Sequence, residues 1–288
     1  MKIQTIKLNN GVEMPMEDFG VFQVPDGNAA QKAVEEAINA GYRFIDTAAA
    51  YMNEEAVGRA IAAKIADGTV KRQDLFITTK VWVQDAGEKP THEAFEASLK
   101  KLGLDYLDLY LIHQPMGDYY GSWRAMQQLY SEGRIKAIGV CNMYPHVLMD
   151  FCVHSKVIPA VNQVELHPFF QQEKAVELMK ELGVVPEAWG PFAEGKHGIF
   201  ANPLIESIAA KHGKTPAQAI LRWNVQRGVV VIPKSVHKER MEQNINIWDF
   251  SLDEEDMEEM SSLDLGHSEI VNHCDPNFVK MVGGWKIH

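Results

Sequence analysis

Cysteine is scarce in this chain: Cys141, Cys152 and Cys274 are the only three among 288 residues. So few, and an odd number, exclude a disulfide framework and suit a reducing cytosol. Positive charge is short as well. Lys and Arg total 28 against 39 Asp and Glu, a net charge of -11, which is the wrong sign for a general binder of nucleic acid or anionic membranes. No apolar run approaches the ~18 residues of a membrane span. The opening stretch, MKIQTIKLNNGVEMP, has no apolar core of a signal peptide. The expected location is therefore cytoplasmic. The Gly-x-Gly-x-x-Gly fingerprint of an open dinucleotide-binding sheet is missing. So are HExxH and CxxC spacings, low-complexity tracts and Gly/Ser/Pro-rich linkers. No metal site is expected, and residues 1–288 read as one domain.

What is present is ordinary globular material, 46% hydrophobic and 23% charged, ample for a core. Short β-branched or aromatic runs alternate with helical patterns. They predict strands over Phe19–Gln23, Phe44–Asp46, Leu75–Val81, Leu107–His113, Ala137–Asn142, Val161–Glu165, Val184–Trp189 and Val229–Pro233. Runs such as DLYLIH and VVVIP are nearly continuous, as parallel strands covered on both faces require. Helices are predicted over Ala29–Ala40, Glu54–Ala66, His92–Leu102, Ser122–Ser131, Pro145–His154, Gln172–Leu182 and Thr215–Gln226, with an extra one near Asn202–His212 after strand seven. Gly41, Gly103, Gly133 and Gly183 each follow a helix, where a left-handed residue belongs. Thr215-Pro216 reads as a helix start, and Ser251-Leu-Asp-Glu254 as a capping box. Strand starts recur every ~23–32 residues, the length of a βαβ unit. Eight such units make a (β/α)8 barrel. Residues 2–16, turning at Asn10-Gly11, predict a β-hairpin that plugs its N-terminal end.

Polar residues at the C-terminal ends of barrel strands are the functional candidates. Asp46 and Tyr51 follow strand two, Lys80 lies in strand three and His113 follows strand four. Any one alone is as readily a helix cap or a snorkelling lysine. Together on one rim they make a consistent acid. An ammonium beside a phenol stabilises phenolate, and a carboxylate holds that ammonium in place. His113 then offers a second donor to a carbonyl oxygen. Donors aimed at an oxygen gaining negative charge suit hydride addition, and the hydride must come from a cofactor.

These residues, in the segment Asp46-Thr-Ala-Ala-Ala-Tyr51 with Lys80, Leu111-Ile-His113-Gln-Pro, Gly139-Val-Cys-Asn142, Asn162-Gln163-Val-Glu-Leu-His-Pro168 and Ile232-Pro-Lys234-Ser235, resemble the aldo-keto reductases. The likeness runs from the Leu8-Asn-Asn-Gly hairpin to Arg240–Asn244 and is nearest the prokaryotic and protist branch around 2,5-diketogluconate reductases. It implies a (β/α)8 barrel that binds NADPH in extended form and reduces small aldehydes and ketones, among them dicarbonyls, keto-sugars and aromatic aldehydes. It implies Tyr51 as general acid, Lys80 and Asp46 as its tuning pair, and His113 as the group that orients substrate. Asn142 and Gln163 would bind the nicotinamide carboxamide and Trp189 would stack on its ring. Lys234, Ser235 and Arg240 would clamp the 2′-phosphate, with Asn244 at the adenine. Phe22, Trp82 and residues 269–288 would wall the substrate pocket, and a monomer is implied. The pattern departs from the family's at Glu17-Asp18, Cys141, Gly190 and Gln243. The alternative from another class is a nucleotide-sensing protein that binds the cofactor with incidental turnover.

Four weaker signals are set aside. Gly190-Pro-Phe-Ala-Glu-Gly-Lys-His197 is one residue short of a P-loop, and Pro191 removes a loop N–H. A loop folding over the cofactor pyrophosphate is expected there instead. The histidines beyond His113 are expected at the surface. Met143, Met149, Met179 and Met241 fall on helical patterns as core fillers, and Cys141 is expected to be a buried small hydrophobe.

Overall fold

A computed structural model of the chain describes residues 3–25, 27–268 and 270–288. Two short antiparallel strands, β1 (Thr5–Lys7) and β2 (Glu13–Pro15), form the expected hairpin, with Gly11 in the left-handed region at its turn. Eight parallel strands follow: β3 (Phe19–Gly20), β4 (Phe44–Asp46), β5 (Phe76–Val81), β6 (Leu107–Ile112), β7 (Ile135–Cys141), β8 (Val161–Glu165), β9 (Val185–Trp189) and β10 (Val230–Val231). Each pairs with the next in chain order. The ends of the sheet meet, because Asp18 N–H donates to Val231 O at 2.9 Å, Val231 N–H to Met16 O at 3.1 Å and Gly20 N–H to Pro233 O at 3.1 Å. The sheet is thus a closed (β/α)8 barrel. The extra helix after the seventh barrel strand, Pro203–Lys211, is where the sequence placed it.

Burial explains the two apolar sets. Residues facing the helices pack with helix residues such as Val34, Phe95, Trp123 and Trp223 in one large cluster. A second cluster fills the base of the barrel, where Leu8 and Met14 of the hairpin meet Phe44, Phe76, Leu109 and Val230. The hairpin is a stopper. Between helices Glu54–Ala66 and Glu88–Leu102, a Cβ on Gly58 would stand 2.6 Å from the Leu102 carbonyl oxygen, so the pair approaches as closely as it does only because that side chain is missing.

Some boundaries differ from expectation. The first and last barrel strands shrink to two residues each, paired with β4 and β9 on one side and closed on the other by the seam hydrogen bonds. The third helix starts at Glu88 rather than His92, with Pro90 tolerated in its first turn. The fourth starts at Tyr119, where Asp118 accepts from Gly121 N–H. Thr215 caps its helix as expected, but the later capping box is centred on Asp253 and Asp256, two residues past Ser251. Met149 is exposed, whereas Met143, Met179 and Met241 are buried. His167 is fully buried, its Nε2 lying 3.0 Å from Glu165, so the surface expectation fails for it. Among the described residues no helix is long and apolar enough to cross a membrane, and no cluster of acidic, His and Cys residues could hold a metal ion.

Candidate active site

The C-terminal ends of the barrel strands bring the four candidates together. Asp46 ends β4, Lys80 sits in β5 and His113 follows β6. Tyr51 ends a short 3-10 turn, Ala49–Tyr51, in which Ala49 and Ala50 are buried. That turn is held from beneath. Asn53 donates through Nδ2 to the carbonyls of Val21 and Val24, both at 3.0 Å, and its Oδ1 accepts from Thr47 at 2.9 Å. Sequence reasoning gave Asn53 no role; it stands just before a helix.

Lys80 is completely buried and donates to Asp46 Oδ2 at 2.6 Å and to Thr47 O at 3.1 Å, with Tyr51 Oη at 3.4 Å. The His113 ring meets Tyr51 and Trp82 edge-on, with centroids 5.5 and 5.1 Å away. Charge follows from burial. Desolvation opposes the Lys80 ammonium, but Asp46, Tyr51 and Cys141 outweigh it and hold its pKa above the ordinary lysine value. Burial pushes Asp46 upward and Lys80 pulls it back only in part. His113 is held neutral by burial, by Lys80 and by His273. Tyr51 corrects an expectation. Lys80 does lower it, yet burial acts harder, and the phenol lies above its ordinary value of 10.0. In the protein as it stands Tyr51 is a loaded proton donor, with Lys80 ready to stabilise the phenolate once the proton leaves.

Tyr51, His113 and Asp46 open onto one cavity of about 810 Å3, which Phe22, Trp82, Asn142, Gln163 and Trp189 also line. Asn142, at φ 58°, donates to the His113 carbonyl at 3.1 Å and accepts from Trp189 Nε1 at 2.8 Å. Gln163 spends its amide N–H groups on Asp46 and Glu187, at 3.1 and 2.9 Å. At the far end the same cavity is lined by Lys234, Ser235, Arg240, Gln243 and Asn244. Lys234 and Arg240 are exposed, and among the described residues neither has an acidic partner. Of the sequence candidates only Lys80 lies off the cavity wall, directly beneath it.

The C-terminal tail covers one side. Trp82 Nε1 donates to Trp285 O at 2.9 Å, and Val271, His273, Phe278 and Val282 line the cavity. Glu269, the first residue of the predicted wall, lies outside the described residues. His273 lies within the predicted wall 269–288, though sequence reasoning did not single it out; it contacts the Trp189 and Phe278 rings and is held down to about 4 by burial. The loop after β9 folds as two 3-10 turns, and it contributes Phe192 and Gly195 to the wall.

Glu17 and Asp18 now have locations. Glu17 Oε2 accepts from Trp248 Nε1 at 3.2 Å, outside the barrel strands. Asp18 Oδ1 accepts from the N–H of Phe19, and the carboxyl is fully buried within electrostatic reach of Asp46, Glu187 and Lys80. Burial and Asp46 push Glu187 up to about 8.

Comparison with known proteins gives a consistent result. Residues 19–265 match the Aldo/keto reductase family. Glyoxal reductase of Bacillus subtilis is 48% identical over 260 residues, 90% of this chain and 92% of that protein. Methylglyoxal reductase of Escherichia coli is 44% identical over 91% of this chain and 94% of its own length. An aldo-keto reductase of Bombyx mori, solved in complex with NADP, superposes with a TM-score of 0.89 at 35% identity, covering 97% of each chain.

Proposed function

This chain belongs to the aldo/keto reductase family, and from that premise we propose that it reduces short dicarbonyl compounds of the glyoxal and methylglyoxal type to hydroxycarbonyls with NADPH. The observation that carries the reading is the buried Asp46–Lys80–Tyr51 chain opening onto a cavity whose other end holds two cations without acidic partners among the described residues. Such cations suit a phosphate ester, and a guanidinium binds phosphate as a fork. The 2′-phosphate of NADPH would engage Arg240, Lys234 and Ser235, with Asn244 near the adenine. Trp189, Asn142 and the free Gln163 carbonyl would hold the nicotinamide end. The reduced nicotinamide supplies the hydride when bound.

The chain's own residues do the rest. His113, neutral, donates one N–H to the substrate carbonyl oxygen and fixes its position. Tyr51 gives its phenolic proton to that oxygen as negative charge gathers there, and Lys80 meets the resulting phenolate. Asp46 keeps Lys80 charged and aimed. Phe22, Trp82 and the tail exclude water, which strengthens each of these interactions. The mixed character of the wall, indole and phenyl rings around two neutral imidazoles, fits a small polar substrate with a second carbonyl.

The test is spectrophotometric. With glyoxal or methylglyoxal, nicotinamide absorbance should fall in the wild type, and Tyr51→Phe should lower kcat by ~10²–10⁴-fold, the usual cost of a lost general acid. NADPH affinity should survive that change. A Tyr51→Phe protein with near-normal kcat would overturn the mechanism, and NADPH binding without turnover of any carbonyl would favour the nucleotide-sensing alternative.

A further inference from the structure

Inside the barrel, on the side of Tyr51, carboxyl groups outnumber the positive charge. Asp18 comes from the segment entering β3, Asp46 from β4 and Glu187 from β9; among the described residues Lys80 of β5 is the one cation facing them. Cys141 of β7 and the Gln163 amide of β8 complete the surroundings, and burial keeps the Cys141 thiol protonated. Glu17 is a fourth buried carboxyl nearby, but it turns outward toward Trp248 and Tyr42. The four carboxyls, Lys80, Cys141 and Gln163 are all buried.

One ammonium matches one carboxylate. Asp46 takes both close contacts with Lys80, so it is the ionised member. Among the described residues Asp18 and Glu187 have no cation of their own, and a second or third buried negative charge is far costlier than a buried neutral acid. Their oxygens divide accordingly. On each, one oxygen accepts an N–H, from Phe19 to Asp18 Oδ1 and from Gln163 to Glu187 Oε2. The other, Asp18 Oδ2 and Glu187 Oε1, has no hydrogen-bond partner among the described residues, which is where a proton belongs.

We propose that Asp18 and Glu187 are a proton-holding pair beneath Lys80, neutral at neutral pH, whose ionisation weakens the support that Lys80 gives to Tyr51. Loss of one proton from the pair to solvent leaves a second anion facing the same ammonium. The field at Tyr51 becomes more negative, phenolate is less favoured, and the phenol donates less readily. Both are positioning residues, acting through Lys80 and through the Gln163 amide that joins Glu187 to Asp46. This rests on the reading of Tyr51 as the donor in carbonyl reduction.

Two measurements on the intact protein decide it. The first needs no turnover: difference infrared spectroscopy in the region of the protonated carboxyl stretch. At neutral pH the wild type should show this band, it should bleach as pH is raised, and Glu187→Gln and Asp18→Asn should each diminish it. The second is the pH profile of kcat for glyoxal reduction with NADPH. In the wild type the alkaline limb should begin on the order of 1 pH unit earlier than in Glu187→Gln or Asp18→Asn, the interaction at which coupled sites stop titrating independently. Absence of the band in the wild type overturns the proposal even where a variant fails to fold. A band with superposable pH profiles overturns the link to Tyr51. If the protein reduces no dicarbonyl, the functional reading falls, while the band still decides whether the pair holds protons.

Discussion

Lys80 shows what one side chain costs and returns at this site. It is wholly buried and contacts Asp46, Thr47 and Tyr51. Lys80→Met would strand Asp46 without its counter-charge, and breaking a buried pair costs ~3–5 kcal/mol. Denaturant unfolding should show a loss of that order, together with a fall in kcat because nothing meets the phenolate. An equally stable and active Lys80→Met protein would refute the ion-pair argument. Arg240 is the opposite kind of residue, exposed and without an acidic partner among the described residues. Its removal should leave stability unchanged. Arg240→Ala should weaken NADPH by ~10- to 150-fold, the value of a charge-assisted hydrogen bond of ~1.5–3 kcal/mol, and leave NADH nearly unaffected. Equilibrium titration with both nucleotides checks this, and equal losses would make Arg240 structural. Local chemistry also explains what the sequence left hidden at this scale. Asp46, Tyr51, Lys80 and His113 stood out because each is polar beside an apolar strand. Glu187 lies in the same kind of strand, yet its meaning depends on Asp18, which is close in space and distant along the chain.

Among the elements, the helix pair Glu54–Ala66 and Glu88–Leu102 depends on one missing side chain. Gly58→Ala would place a Cβ 2.6 Å from a backbone oxygen that cannot rotate away. The gain in helix propensity is ~1 kcal/mol, whereas overpacking costs ~1–3 kcal/mol, so the net effect should be destabilising or at best neutral. Thermal melting of Gly58→Ala decides it; a clear rise in Tm would contradict the contact. The same helices show why element boundaries were harder to read than element types. Continuous runs such as LDLYLI could be little but buried strand, and β6 matches its expected span to within one residue. At β3 and β10 only two residues of the predicted runs pair regularly with the neighbours β4 and β9; their other partners lie across the seam at the opposite end of the chain, and composition carries no record of that pairing. Ser251 and Asp253 could each cap a helix; only packing selected the second.

At the scale of the whole molecule, buried acids should set the dependence of stability on pH. Glu187 keeps its proton up to about 8 in the fold, while the unfolded chain releases it near 4.5. Asp18 and Glu17 are raised in the same sense by burial. The folded state therefore binds more protons than the unfolded one between these values, and stability falls as pH rises through that window. Asp67 acts the other way, held at about 2 by Lys64 and Thr69, but it is exposed and its influence is confined to acid. Melting temperatures from about pH 5 to 9 should decline toward the alkaline side, and Glu187→Gln should flatten the curve. A wild-type curve that rises across this range would show that the buried acids are ionised.

The seam that closes the barrel has a consequence for how the chain is made. Asp18 and Gly20 donate their backbone N–H groups to Val231 and Pro233. A growing polypeptide that has produced seven barrel strands still presents an open sheet with two raw edges, the kind of surface that templates aggregation. Closure has to wait until the last strand leaves the ribosome. Fragments ending before Val230 should accumulate as inclusion bodies rather than as soluble partial barrels, and the first strand spends most of synthesis waiting for the last.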